Sequence, residues 1–262
     1  MKVLIMTDLE GISGVDRMEQ ISVVPSEGNN FAIRRLMADL NACVEGCLEA
    51  GADEVNVADG HGSGKNFDLS LLHPAAVYRG IGEWQDCIIS GTCDAYLEIG
   101  CHAMPGTLNG FLDHCQSSAR WYNYLVNGRP AGEIAQGAMF AGAYDVPMVM
   151  VSGDTAACME ARAFLGNIET ADVKTGIGRN FARCIPLEEA ENRIRNAARI
   201  GVQRRKGIRP FKPLMPLTLT LQLYRSDMAD DYMERHPEYE RLDARTIRKV
   251  VNRICTYKDV QF

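Results

Sequence analysis

Histidine is scarce in this sequence: five occur among 262 residues, at positions 61, 73, 102, 114 and 236. Basic clusters are missing too. The formal net charge is −6, and no cationic run exceeds Arg204-Arg205-Lys206. That balance argues against nucleic acid as the main partner; the short run reads as the solvated end of a helix, where cations suit the dipole. No apolar stretch is long enough to span a bilayer, and the N-terminus goes straight into a strand rather than a charged-then-apolar signal, so no membrane partner is expected. The nine cysteines are odd in number and lack paired short spacings. Neither a disulfide framework nor a cysteine-type structural zinc site is supported, and Cys43 and Cys47, four apart in an expected helix, read as small buried side chains. The reducing cytoplasm is the expected compartment.

What is present suits a soluble enzyme-sized domain, with 46% hydrophobic and 24% charged residues in a chain long enough to bury a sizeable core. The chain opens with Val3-Leu4-Ile5-Met6, then Asp8 and Glu10 one residue apart, then Gly11. Four apolar residues in a row read as a buried parallel strand, which presents both acids at its carboxyl end. In open α/β sheets that edge is where ligands bind. Two carboxylates so close repel each other unless a proton or a cation neutralises them.

The rest of the chain repeats this arrangement. Apolar residues recur at helical spacing from about 29 to 50, and Glu54 to Ala58 forms a second strand that ends in Asp59-Gly60-His61. Residues 75–78 are a short strand candidate, and Tyr96 to Cys101 is a better one, ending at His102. The loop 103–110 follows, with His114 just beyond it. Asn127-Gly128 marks a hairpin between 121–126 and 130 onward. A helix from about Gly132 to Tyr144 carries Glu133 in its first turn. Pro147 to Val151 is another buried strand, ending at Ser152-Gly153-Asp154 and followed by a helix through Phe164. Strand–helix–strand order predicts an α/β fold with a mainly parallel sheet and flanking helices. Beyond it, residues 187–202 read as a helix, prolines 210, 213 and 216 as a linker, 217–223 as a half-exposed antiparallel strand, 228–239 as loop or short helix, and 242–251 as a last strand. The expected division is an α/β metal-binding catalytic part over residues 1–185 and a smaller mixed α+β part over 186–262.

His61 and His102 stand at strand ends, where Asp8 and Glu10 already sit, and such ends converge on one rim. With Glu133 they make a mixed nitrogen and oxygen cluster. Imidazole plus carboxylate suits zinc, with manganese, cobalt or iron open as alternatives. Five ligands exceed what one tetrahedral ion with an open position takes; they suit two ions about 3.5–4 Å apart that activate water for attack on a carbonyl. The competing reading, taken from spacing alone, is five ordinary polar residues sharing a sheet edge, since no packed motif joins them. His73 reads as structural and His236 as a surface residue.

The run Asp8-Leu9-Glu10-Gly11-Ile12-Ser13-Gly14 resembles the opening of the zinc-dependent D-aminopeptidases of the dipeptide-transport operon type. Asp59-Gly60-His61, Gly100-Cys101-His102-Ala103, His114, Asn127 through Glu133 and Tyr144 through Asp154 agree with it in order, over roughly the first 185 residues. The resemblance implies a site of two zinc ions per subunit with Asp8, Glu10, His61, His102 and Glu133 as ligands and Asp8 bridging. It also implies a catalytic His114, release of N-terminal D-residues such as D-alanine from short peptides, and a homodecamer of two stacked five-membered rings. On physical grounds His114 suits a general acid/base or oxyanion-stabilising role, with a covalent acyl-imidazole left open and a ligand-orienting role as the plain alternative. Cys101 and Cys115 adjoin two of the histidines, as packing groups or as competitors for metal.

Two other functions fit parts of the sequence. A haloacid-dehalogenase-like, magnesium-dependent phosphatase also begins with an acid-x-acid pair, and Gly153-Asp154 imitates its later acid loop. It leaves His61 and His102 without work. A non-catalytic metal-binding ring protein is the third reading. Lys174 reads as a solvated loop lysine within 173–179, outside the catalytic set.

Overall fold

The computed structural model describes residues 1–21 and 26–262. The sequence reads residues 21–27 as loop, and part of that stretch lies outside the described residues. Just before it, Met18–Ile21 forms a 3-10 turn.

The chain begins with β1 (Lys2–Thr7), α1 (Glu27–Glu49), β2 (Glu54–Asp59) and β3 (Ala76–Tyr78). It continues with α2 (Glu83–Ile89), β4 (Ala95–Cys101), β5 (Trp121–Val126), β6 (Arg129–Ala131), α3 (Glu133–Ala143) and β7 (Met148–Asp154). There follow α4 (Thr155–Leu165), β8 (Glu169–Gly178), β9 (Phe181–Cys184) and α5 (Leu187–Arg204). The last elements are β10 (Leu217–Leu223), α6 (Ser226–Arg235), β11 (Glu240–Arg241), β12 (Thr246–Val251) and a 3-10 turn at Tyr257–Val260.

Seven strands form the main sheet in the order β3-β2-β1-β4-β7-β8-β9. All its pairings are parallel except β8 with β9. From β1 the chain winds outward through β2 and β3, then returns to β4 on the other side of β1 and winds through β7 and β8. The order reverses between β1 and β4, so a crevice opens beyond their carboxyl ends. The central strands are apolar and buried, as a sheet covered on both faces requires. Helices α1 and α5 pack on each other in one layer, where a side chain at Gly46 would meet the Arg195 carbonyl at 2.2 Å. In the other layer α3 contacts α4, and Trp84 of α2 meets Phe140 of α3 edge-on at 5.4 Å.

The second sheet is antiparallel, in the order β11-β12-β10-β5-β6. Its central strand β10 alternates buried leucines with half-buried polar residues, as its sequence predicts. The β5–β6 hairpin turns on Asn127 (φ 50°) and Gly128 (φ 80°), the two positive angles of a type I′ turn. This sheet takes β5 and β6 from before residue 185, and α5, after it, packs on the large sheet. The two layers interleave along the chain.

Three local readings need correction. Residues 173–178, expected as loop, lie in β8, because Asp172 and Lys174 pair with β7 and the stretch from Lys174 to Gly178 pairs with β9. The final strand starts at Thr246 rather than 242. Helix α2, absent from the sequence reading, follows Gly82, whose φ of 91° only glycine adopts easily, and its seven residues are too few for a helical repeat to stand out.

Candidate metal centre

The crevice between β1 and β4 is where the acids and imidazoles meet. Two glycines let the loops that leave these strands touch. Gly11 donates to the Gly100 carbonyl at 2.7 Å, and an added Cβ there would sit 2.1 Å from the Cys101 carbonyl oxygen. Gly100 has φ 75°, and a Cβ on it would strike the Asp8 carbonyl at 2.2 Å. This close approach sets Asp8 and Glu10 beside His102.

Asp8 lies at the centre of the group. Its Oδ1 is 2.9 Å from His61 Nδ1, and its Oδ2 is 3.3 Å from His102 Nε2. The same His61 nitrogen is 3.0 Å from Glu10 Oε2. His102 Nε2 also lies 3.3 Å from Glu133 Oε1, and His114 Nε2 lies 3.9 Å from that oxygen. The His102 and His114 rings stack at 3.9 Å, inclined by 12°. All six singled-out residues therefore come together, as two triads: Asp8, Glu10 and His61, and His102, His114 and Glu133. Asp8 joins the triads through its two oxygens.

Surrounding contacts fix these side chains. Glu133 starts α3, which points its own amide dipoles toward the acid, and its Oε1 accepts the Gln116 amide at 2.7 Å. His61 sits in a loop gathered by Asp59, which accepts the amides of His61 and Asn66, while Asn66 Nδ2 donates to the His61 carbonyl at 2.9 Å. His102 Nδ1 faces the Ala103 carbonyl at 3.1 Å, and His114 Nδ1 faces that of Leu112 at 2.8 Å. Carbonyls only accept, so both Nδ1 atoms carry the proton and both Nε2 lone pairs face the carboxylates. A lone pair aimed at a carboxylate oxygen requires a cation between them, either a proton or a metal.

The ionisation of the cluster reflects this. Burial alone would raise the Asp8 carboxyl, yet hydrogen bonds from His102 and His61 hold it well below the usual carboxylate range. Burial likewise opposes charge on His61, but the bonds to Asp8 and Glu10 lift it to about 11. The group is built to hold positive charge. Ligand atoms on a tetrahedral zinc with bonds near 2.0–2.1 Å are about 3.4 Å apart, and the separations here, 2.9 to 3.9 Å, bracket that value. The donor set fits zinc.

Asp8, His102 and Glu133 line a cavity of about 560 Å³. Tyr96, Glu98, Trp84 and Tyr257 line the same cavity. These four escaped the sequence reading, although Glu98 had left a signal: a carboxylate inside the otherwise apolar strand Tyr96-Leu97-Glu98-Ile99.

Five other residues are placed plainly. Cys101 and Cys115 are buried outside both triads, their thiols pushed well up by burial, so they pack. Lys174 is no solvated lysine. It is buried, and its Nζ donates to the carbonyls of Glu10 and Val15, bracing the loop after β1. Asp154 caps α4, accepting the Ala157 amide on Oδ1 and the Phe111 amide on Oδ2, so the acid loop of a phosphatase is absent there. His236, half-buried and stacked on Tyr239 away from both triads, is a surface residue.

Residues 1–259 match the family model described as D-aminopeptidase, peptidase family M55. A D-aminopeptidase of Bacillus subtilis (strain 168) is 31% identical over 218 residues, which span 81% of this chain and 78% of the relative. Among solved structures, the Zn-dependent D-aminopeptidase DppA from Bacillus subtilis, described as a self-compartmentalizing protease, superposes with a TM-score of 0.91 at 24% identity. That match covers 99% of this chain and 95% of the other. The fold is thereby the fold of that protein.

Proposed function

The chain belongs to the D-aminopeptidase family and is an aminopeptidase by that membership, and from this premise we propose that it uses two zinc ions per subunit to release an N-terminal D-residue, such as D-alanine, from short peptides. The observation that carries the proposal is Asp8, whose two oxygens address imidazoles from two different crossovers, His61 and His102. Asp8, Glu10 and His61 would hold one ion, and Asp8, His102 and Glu133 the other. Zinc bound there would supply Lewis acidity toward the scissile carbonyl and acidify the attacking water.

The remaining work falls to side chains. His102 Nε2 addresses two carboxylates at 3.3 Å, whereas His114 Nε2 addresses one at 3.9 Å, which supports His102 as a ligand and His114 as a proton carrier. With Nδ1–H fixed on the Leu112 carbonyl, His114 can take or give a proton only at Nε2, the nitrogen that faces Glu133. It would deliver that proton to the leaving amine. The cavity suits a short peptide in size.

Assembly into a homo-oligomer of rings, and specifically a decamer, is part of the same proposal. It is supported by the self-compartmentalizing description of DppA and by Leu108 and Leu214, apolar yet 88% and 84% exposed. A cytoplasmic location is proposed from the free cysteines and from the absence, among the described residues, of any helix long and apolar enough to cross a membrane. The test is a panel of D- and L-aminoacyl peptides offered to zinc-loaded protein. Hydrolysis of D-alanyl peptides well above their L-counterparts is expected; zinc bound without cleavage of any peptide would leave a non-catalytic binding protein.

A further inference from the structure

Glu98 stands on β4, two residues after Tyr96, in a strand whose seven residues are all buried. Its carboxylate nevertheless borders the cavity. Tyr96 donates its hydroxyl to Glu98 Oε1 at 2.7 Å. The other oxygen lies 3.8 Å from Cys101 Sγ, so the carboxylate reaches the level of the residue next to His102. Neither partner is a cation, and a carboxylate has about four acceptor sites. Acceptor capacity is left over in a residue that lines the cavity.

The opposite layer makes room for this group. Gly137 lies inside α3, and a Cβ added there would sit 2.0 Å from Glu98 Oε1. Glycine is a poor residue for a helix interior, and here it vacates the space that the carboxylate fills. Burial, followed by repulsion from Glu133 and Asp8, pushes the Glu98 carboxyl up to about 8; an ammonium bonded to it would favour the charged form again.

We propose that Glu98, oriented by Tyr96, is the subsite that receives the α-ammonium group of the peptide and thereby restricts hydrolysis to free amino termini. This rests on the aminopeptidase reading of the same cavity. In an N-terminal residue the amine is two bonds from the scissile carbonyl carbon. A group that reads the amine must therefore stand on the wall beside the residues that polarise that carbonyl. Glu98, in contact with Cys101, the residue before His102, borders the same cavity as Asp8, His102 and Glu133. An ammonium offers three donors, enough to fill the acceptor sites that the Tyr96 hydroxyl leaves open. The charge-assisted bond would form only with substrates that carry a free amine.

The test uses the zinc-loaded full chain and its Glu98→Gln variant, which keeps the shape and the bond from Tyr96. Two readouts are taken: KM and kcat for D-alanine 4-nitroanilide, and calorimetric binding of D-alanine against D-lactate, which replaces the amine by a hydroxyl. The expected results are a KM raised about tenfold or more with kcat changed much less, and a wild-type preference for D-alanine over D-lactate that falls by about the same factor. Tyr96→Phe, which keeps the acid but frees its orientation, should show a smaller shift of the same kind. Should Glu98→Gln fail to take up zinc, Glu98→Asp serves, with the same split expected. An unchanged KM and an unchanged D-alanine preference, at full zinc content, would overturn the proposal and leave the amine to a metal ion. The binding readout needs no turnover. A wild type that hydrolyses nothing would therefore count against the aminopeptidase reading while Glu98 is still judged on D-alanine against D-lactate.

Discussion

The side-chain nitrogen of Lys174 donates a hydrogen bond of 2.6 Å to the backbone carbonyl of Glu10, 164 residues earlier in the chain. The same nitrogen donates to the Val15 carbonyl and lies 4.8 Å from the Phe111 ring. One buried cation thus ties the middle of β8 to the loop that carries Glu10. Replacing a group that orients a ligand commonly costs 10–100-fold in metal affinity. Lys174→Met should keep the fold but weaken zinc binding by about tenfold or more, as measured by competition with a chromogenic chelator.

On the proposed reading His114 carries the proton and does not hold the metal. His114→Ala should keep two zinc equivalents and lose about 100-fold or more in kcat, the usual scale of general acid–base catalysis. Loss of one zinc equivalent in that variant would make His114 a ligand of the second triad.

Gly137 offers a test of packing behind the cavity. Glycine to alanine inside a helix ordinarily stabilises by up to about 1 kcal/mol. Here the added methyl would stand 2.0 Å from Glu98 Oε1. Gly137→Ala should instead destabilise by about 1–3 kcal/mol in thermal unfolding, as overpacked sites do. Pairing it with Glu98→Ala should recover part of that loss.

Much of this site was readable from residue order. Asp8, Glu10, His61 and His102 follow buried strands directly, and in a parallel sheet such positions share a rim, so their meeting needed only the fold class. Glu133 was legible as an acid in the first turn of a helix. Lys174 was not. Its neighbours Thr175, Gly176 and Gly178 suggest a loop, and only pairing with β7 and β9 makes the segment a strand that buries the lysine. Glu98 was passed over because strand periodicity says nothing of which cavity a side chain lines. Interleaving of the two sheets was hidden for a similar reason: β5 and β10 pair across about ninety residues, and no local signal records a partner that distant.

Glu160 predicts how stability varies with pH. It is buried in α4, accepts the Met104 amide on Oε2 at 2.6 Å, and its Oε1 has no partner among the described residues. Burial lifts its carboxyl from 4.5 to about 7. The folded form therefore keeps the proton that the unfolded chain releases. Its contribution is fully present below about pH 4.5 and is lost as pH rises through about 7. Glu160→Gln should remove this slope, gaining on the order of 2–3 kcal/mol relative to wild type at pH 8 but little at pH 4.5, as read by chemical unfolding at both pH values.

Zinc stoichiometry of the purified chain beside its Asp8→Asn variant tests the shared site most directly. Asp8 touches an imidazole of each triad, so two equivalents in the wild type and a fall affecting both ions in the variant are expected, together with loss of peptide hydrolysis. A wild type that saturates at one equivalent, or an Asp8→Asn variant that still binds two with undiminished affinity, would contradict it.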